Sequence, residues 1–246
     1  MSKHSSELER EGAFYRKKLL LSMIIPGIFV FLMWLVKIVE LLFDTDLTRF
    51  GIYPLTIQGL PGILLSPLIH ADFAHLFSNS LPLFFLSIAL FYFYSEVALK
   101  VFIWTYFLTG LLVWIAGREA WHIGASGLVY GLASFLFFSG IIRRHFRLIA
   151  LSLLIVFLYG SMVWGLFPGV YKNVSWESHM LGFFSGVALS VWYRKQGPQR
   201  PVYEWMDGED EGENGGSGEE ENLIDEETKG QRDEGTNLYR FVITNK

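Results

Sequence analysis

Five polar residues capable of catalysis or hydrogen bonding stand near the start of three long apolar stretches. They are His70, His75 and Asn79 in HADFAHLFSN, Ser126 in GASGLVYG, and His179 in WESHMLGFFSG. Polar side chains inside apolar spans are costly unless they face a cavity or a partner, so these residues are candidates for function. A serine hydroxyl becomes a good nucleophile only when a base removes its proton, and histidine titrates in a suitable range. The pattern predicts hydrolysis, with Ser126 as the nucleophile and His179 as the base.

The residues around Ser126 suit the negative charge that develops on an attacked carbonyl oxygen. His75 and Asn79 are four residues apart and so share one helix face. Both side chains can donate hydrogen bonds, and one such donor is typically worth about 3 kcal/mol. Gly124 and Gly127 flank Ser126 and allow neighbouring backbone to approach. A serine at a helix N-terminus also lies beside free backbone N–H groups and the positive end of the helix dipole.

Further residues fit the same site. Tyr130 follows Ser126 by one helical turn and can pack its ring against the base. Gly182 and Gly186 form a GxxxG pattern, which predicts close packing against a neighbouring helix. The candidate neighbour is the apolar stretch that contains Ser126. Glu177 precedes His179 by only two residues and points away from it on a helix, so the pattern favours a dyad over a triad.

Each of these residues also has a plainer explanation. G-x-S-G occurs as small-residue packing between membrane helices, and a buried histidine is often an interhelical hydrogen-bond partner. A zinc site of His70, His75 and His179 is a further alternative, because imidazole suits zinc. HExxH and cysteine are both absent, however, and no metal or cofactor is expected. His122 and His145 lie in or beside connecting segments, where a solvated or interfacial role is expected.

The composition indicates a membrane protein, since 52% of the residues are hydrophobic and 17% are aromatic. Apolar runs long enough to cross a hydrocarbon core of about 30 Å lie at roughly 19–43, 73–95, 97–117, 124–141, 147–167 and 175–194. The predicted fold class is an all-α bundle of six transmembrane helices. Basic residues beside the spans place both termini in the cytoplasm. The candidate residues then share the outer ends of spans two, four and six.

The sequence predicts three segments with different environments. Residues 1–18 form a cytoplasmic N-terminus that leads into an anchor rather than a cleaved signal peptide, and residues 19–200 form the transmembrane catalytic domain. Residues 201–246 form an acidic cytoplasmic tail of low hydrophobicity, which is predicted to be disordered. The connection 44–72 is too apolar for a freely solvated loop and is predicted to lie in the outer membrane interface.

Together these motifs resemble those of the rhomboid intramembrane proteases, in the same order across roughly residues 70–190. HADFAHLFSN is similar to the family's H-x-x-x-x-H-x-x-x-N on helix two. GASGLVYG is similar to its G-x-S-G-x-x-Y-G on helix four, and SHMLGFFSG to its H-x-x-G-x-x-x-G on helix six. The resemblance implies a six-helix core with a catalytic dyad of Ser126 and His179. It also implies an oxyanion site formed by His75, Asn79 and the backbone N–H of Ser126.

The resemblance further implies that Tyr130 stacks on His179, that His70 supports the site and that span five forms a lateral gate. The chain departs from the family pattern in the connection between spans one and two. The Trp-Arg pair common there is missing, and Pro61 and Gly62 stand near its expected place. The shape of that connection therefore does not follow from the resemblance.

The predicted function is that of an intramembrane serine endopeptidase in a bacterial inner membrane. Its expected partners are the lipid bilayer and the transmembrane segments of other proteins, with no nucleic acid, and the oligomeric state stays open. Because a helix hides its carbonyls, substrates weakened by Gly or Pro should be preferred. The main alternative is a catalytically silent relative that binds transmembrane clients. A small transporter or channel is a second alternative, for which broken spans and charges at mid-membrane are expected.

Overall fold

A computed structural model describes residues 3–170 and 175–199, with side chains from residue 8 onward. These residues are helical and form no β-strand, apart from one isolated antiparallel bridge between Ile52 and His122. The α-helices are α1 (Lys3–Leu42), α2 (Gly62–Leu65), α3 (Phe73–Phe93), α4 (Ala98–Ala116), α5 (Ser126–Arg143), α6 (Phe146–Tyr159) and α7 (Trp176–Trp192). Short 3-10 helices lie at Thr48–Phe50, Ile57–Gly59, Ser66–Leu68 and Gly160–Leu166. The predicted disordered tail, 201–246, lies outside the described residues.

Five helical segments are long and apolar enough to cross a membrane. They are Leu8–Leu42, Phe73–Phe93, Ala98–Ala116, Ser126–Arg143 and Phe146–Leu166. The last of these joins α6 to the 3-10 helix that follows it. The predicted sixth span corresponds to α7, which has 17 residues and is therefore about 26 Å long at the usual helical rise. The all-helical membrane fold is confirmed, and the sixth span stays a prediction.

The helix boundaries differ from the predicted spans where the local backbone chemistry decides them. α1 begins at Lys3 rather than near residue 19, so the predicted N-terminal segment continues the same helix. α3 begins at Phe73, the predicted residue, after Asp72, whose carboxylate accepts a hydrogen bond of 2.7 Å from the backbone N–H of His75. α5 begins at Ser126 rather than at 124, because Gly124 has a φ of +103° that a helix does not allow.

α5 is the central helix among the described residues. It is the most buried of the five spanning segments, and it packs against α3, α4, α6 and α7. Its core side chains Leu128, Leu132 and Phe135 are almost completely shielded. The residue at its N-terminus is thus held by contacts on several sides.

α5 and α7 run parallel and touch through their glycines. A Cβ placed on Gly182 would lie 2.1 Å from the carbonyl oxygen of Gly127, and a Cβ placed on Gly186 would lie 2.0 Å from that of Gly131. Real Cβ atoms essentially never approach other atoms within 3.0 Å. Glycine is therefore required at both α7 positions for these backbones to approach so closely.

Candidate active site

The register of α5 against α7 places Ser126 level with His179. Gly127 lies against both Ser178 and Gly182, since a Cβ on Gly127 would be 3.0 Å from the carbonyl oxygen of Ser178. Ser126 precedes Gly127 by one residue, and the two helices are parallel. Ser126 therefore lies level with the midpoint between residues 177 and 181 of α7, which is His179. The two candidate residues therefore occupy matching heights on neighbouring helices.

A stacked pair of rings shows that Ser126 and His179 also share an interface. The rings of Tyr130 and His179 stack with centroids 4.2 Å apart and an interplanar angle of 12°. Tyr130 lies one turn after Ser126 and so projects from the same face of α5. Ser126 itself is half-buried, whereas His179 is buried. In the structure, Ser126 Oγ and His179 Nε2 do not form a hydrogen bond.

His179 is oriented by a backbone carbonyl. Its Nδ1 lies 2.9 Å from the carbonyl oxygen of Gly165, in the 3-10 helix that follows α6. A carbonyl only accepts hydrogen bonds, so Nδ1 carries the proton and Nε2 keeps a free lone pair. Tyr130 is fixed in a similar way, because its hydroxyl donates to the carbonyl oxygen of Met162 at 2.6 Å. The ring of His179 is thus held in the tautomer that a general base requires.

The candidate oxyanion donors lie beside the segment that precedes Ser126. A Cβ placed on Gly124 would be 2.8 Å from Nε2 of His75 and 3.7 Å from Nδ2 of Asn79. Asn79 is buried and donates one amide hydrogen to the carbonyl oxygen of His75, at 3.1 Å. Its second amide hydrogen remains for a ligand. The structure therefore brings His75, Asn79 and the N-terminus of α5 to one place.

His70 packs behind His75 rather than into the Ser126 site. Their ring centroids are 5.0 Å apart, and His70 has an exposed fraction of only 1%. Burial, with a smaller effect of the neighbouring His75, lowers the pKa of His70 to about 3. His70 is therefore neutral under ordinary conditions and packs against the helix that carries His75 and Asn79.

A half-buried ion pair ties the segment before α3 to α1. Lys37 Nζ lies 2.8 Å from a carboxylate oxygen of Glu40, with side-chain exposed fractions of 13% and 12%. The same ammonium donates to the carbonyl oxygens of His70 and Ala71, at 3.0 and 2.9 Å. The spacing of three residues allows the ion pair within one helix, whereas the two carbonyl contacts depend on chain folding.

Two residues of the site had not been predicted. The expected solvated or interfacial position of His122 is wrong, because its exposed fraction is 3% and its ring bonds to Ser175. The burial arises from backbone pairing with Ile52, which is 70 residues away in the chain. Gly165 contributes its carbonyl oxygen and also leaves room for Tyr130, since a Cβ at this position would meet the Tyr130 hydroxyl. A single glycine in an apolar run identifies neither role.

Within the part of the chain that the structure describes, no group of three or more His, Cys, Asp or Glu residues is arranged to hold a metal ion. The fold and the site define an integral multi-pass membrane protein in which a serine and a histidine lie at the same level on neighbouring helices.

Comparison with known proteins agrees with this class. The family model described as the Rhomboid domain matches residues 59–196. Uncharacterized proteins of Mycobacterium tuberculosis and Mycobacterium bovis are each 34% identical over 184 residues, which covers 70% of this chain and 74% of theirs. An uncharacterized protein of Mycobacterium leprae is 32% identical over 189 residues and is covered to 70%, as is this chain. The chain belongs to the rhomboid family.

Proposed function

We propose that the protein is an intramembrane serine endopeptidase with Ser126 as nucleophile and His179 as general base. The observation that carries the proposal is the stack of His179 on Tyr130, with Nδ1–H bonded to Gly165. This arrangement leaves Nε2 as the basic nitrogen, at the level of Ser126 on the facing helix. A third acidic residue is unnecessary, because the Gly165 carbonyl already selects the tautomer.

In the proposed reaction, Ser126 Oγ attacks the carbonyl carbon of the scissile peptide bond while Nε2 of His179 takes the hydroxyl proton. The C–N bond then breaks, and the imidazolium returns that proton to the leaving amine nitrogen. Water hydrolyses the resulting ester in the same way, with His179 again accepting the proton and returning it to Ser126 Oγ.

The oxyanion that forms on the attacked carbonyl requires donors that are already in place. We assign this role to the side chains of His75 and Asn79 and to the backbone N–H of Ser126. Their common position beside Gly124 supports the assignment. At about 3 kcal/mol for one donor, loss of the Asn79 amide would slow hydrolysis by about two orders of magnitude.

The proposed arrangement in the membrane has six spans, with α7 as the sixth and both termini in the cytoplasm of a bacterial cell. The connection 43–72 would then lie in the outer interface, where its exposed Leu55 and Ile57 contact lipid. An apolar cleft of about 520 Å³ opens between α5, α6 and α7 and is lined by Tyr130. This cleft supports α6 as the gate through which a transmembrane substrate reaches the dyad.

A catalytically silent protein that binds transmembrane clients is the second candidate. The missing hydrogen bond between Ser126 and His179 is the observation that favours it. Catalytic hydrogen bonds are often long in free enzymes and shorten only when substrate is bound. The absence of this hydrogen bond therefore does not distinguish a protease from a silent binding protein. Covalent labelling of the serine distinguishes them.

A serine-directed fluorophosphonate, applied to the purified protein in detergent, tests the proposal. We expect covalent labelling of wild type and none of Ser126→Ala, with at least a hundredfold slower labelling of His179→Ala. Ser190→Ala is the matched control, since it removes a hydroxyl near the other end of α7, where Ser190 bonds to the carbonyl oxygen of Val187. Labelling that persists in Ser126→Ala refutes the nucleophile assignment, and unlabelled wild type supports the silent alternative.

A further inference from the structure

Two side-chain cross-links join the connection 117–125, which leads into Ser126, to the start of α7, which carries His179. We call them the clasp, which consists of Arg118, His122, Ser175 and Glu177. Each of its members lies within eight residues of Ser126 or four of His179 along the chain. We propose that the clasp positions the nucleophile and the base relative to each other, an inference that rests on the proposed function.

The first cross-link is a directed chain of hydrogen bonds through His122. Its Nε2 lies 3.0 Å from the carbonyl oxygen of Arg118, which can only accept, so Nε2 carries the proton. Nδ1 therefore accepts from Ser175 Oγ, at 2.6 Å. Ser175 Oγ in turn accepts from the hydroxyl of Ser178 at 2.7 Å and from its backbone N–H at 3.4 Å. The ring thereby holds the residue that caps the N-terminus of α7.

This chain requires a neutral His122, since a protonated Nδ1 cannot accept from Ser175. Burial lowers the pKa of His122, which favours the neutral ring. Among the described residues, the charged groups that act on this ring are Arg118 and Glu177, the other two members of the clasp. The hydrogen-bond direction and the environment of the ring thus agree.

The second cross-link is an ion pair between Arg118 and Glu177, with Nε and Oε1 3.4 Å apart. The Glu177 side chain has an exposed fraction of 6%, whereas Arg118 is half exposed. A buried carboxylate is costly unless it is paired, so Glu177 holds its guanidinium partner close to α7. Because Glu177 precedes His179 by two residues, it faces away from the ring and can bond outward to the connection while His179 faces α5.

The connection is held on its other side by backbone bonds that the clasp does not supply. Ile52 and His122 exchange two backbone hydrogen bonds of 2.9 and 2.8 Å, and the N–H of Gly124 donates to the carbonyl oxygen of Ser66 at 2.8 Å. Loss of a clasp side chain therefore leaves the connection folded but removes one of its two links to α7. The expected consequence is a change in the spacing of Ser126 and His179, not unfolding.

The test measures fluorophosphonate inactivation of the full chain in detergent. The maximal inactivation rate, kinact, reports the chemical step, and the inhibitor concentration at half that rate, KI, reports binding. In His122→Phe, which keeps a ring but removes both nitrogens, we expect kinact to fall by about tenfold to a hundredfold and KI to stay unchanged. His122→Asn, whose amide oxygen can replace Nδ1 as an acceptor, should recover most of kinact.

Glu177→Gln should also lower kinact, because it removes the charge but keeps the side-chain shape. Glu119→Gln is the matched control, since Glu119 is an exposed carboxylate in the same connection, and it should leave kinact and KI unchanged. If His122→Phe does not fold, three other variants test the proposal: Glu177→Gln, Ser175→Ala and Ser175→Thr. Ser175→Ala should lower kinact, and Ser175→Thr should restore it because threonine keeps the hydroxyl.

The clasp is overturned if the folded clasp variants keep the wild-type kinact, or if His122→Asn is as slow as His122→Phe. Those outcomes leave the proposed function intact, because wild type is still labelled at Ser126. Unlabelled wild type, or labelling that survives Ser126→Ala, instead removes the proposed function and the clasp with it.

Discussion

A single methyl group on α7 should separate the proposed dyad. In Gly182→Ala, the new Cβ would lie 2.1 Å from the carbonyl oxygen of Gly127 and 2.8 Å from its carbonyl carbon. Both contacts are with backbone, so no side chain can rotate away to relieve them. The helices must move apart to restore the 3.0 Å that real Cβ contacts require.

The size of the required movement follows from these distances. Raising the shortest contact from 2.1 Å to 3.0 Å needs a displacement of about 1 Å along that direction, which is enough to cost roughly a hundredfold in rate at a reacting centre. Gly182 follows His179 by less than one turn, so most of the displacement reaches the base. Overpacking should also cost about 1–3 kcal/mol of stability, which outweighs the gain of about 1 kcal/mol from replacing a helical glycine.

The assay combines fluorophosphonate inactivation with thermal unfolding in detergent. We expect Gly182→Ala to lower both kinact and Tm. Gly27→Ala is the matched control, because a Cβ at Gly27 in α1 meets no atom within 4 Å. That variant should leave kinact unchanged and raise Tm slightly through helix propensity. If Gly182→Ala behaves like Gly27→Ala in both measurements, the close approach of α5 and α7 does not control the site.

Three further changes test the surroundings of the dyad. Gly165→Ala places a Cβ 2.1 Å from the Tyr130 hydroxyl, so kinact should fall at least tenfold, and an unchanged rate would show that the ring stack is dispensable. Lys37→Met leaves the half-buried Glu40 without its ammonium and should cost about 1 kcal/mol or more of stability, seen as a lower Tm that Glu40→Gln in the same chain largely restores. His70 has a pKa of about 3, well below the ordinary 6.5, so its contribution to stability is present above pH 6.5 and is lost as the pH falls toward 3. Tm should decline over that window, and a His70→Gln variant with the same decline would contradict the assignment.

The parts of the site that could be predicted are those with a local signature. Ser126 and His179 stood out because polar residues are rare in apolar spans, and the glycines of α7 stood out through their spacing of four. The family followed from the same motifs, and the all-helical membrane fold followed from the long apolar runs. The end of span five as a 3-10 helix had no such signature, although it supplies the Gly165 carbonyl that orients the base.

The parts that could not be predicted depend on residues far apart in the chain. His122 looked like an ordinary connecting residue, and its burial became visible only once Ile52 and Ser175 were brought to either side of it. The pairing of Lys37 with Glu40 is local to one helix, but the contact of Lys37 with the carbonyl of His70 spans 33 residues. The spacing of residues in the sequence predicts which side chains are neighbours on one helix. It does not predict contacts between elements that are far apart in the chain.

Two kinds of contact control α7, and they act in different directions. The glycine contacts bring its backbone against α5 and so set the separation of the helices. The clasp lies at one end of α7, where it bonds to a connection that is itself anchored by Ile52 and Ser66, and so it resists sliding along the helix axis. A base on one helix and a nucleophile on another need both constraints, since a 1 Å error in either direction separates Nε2 from Oγ.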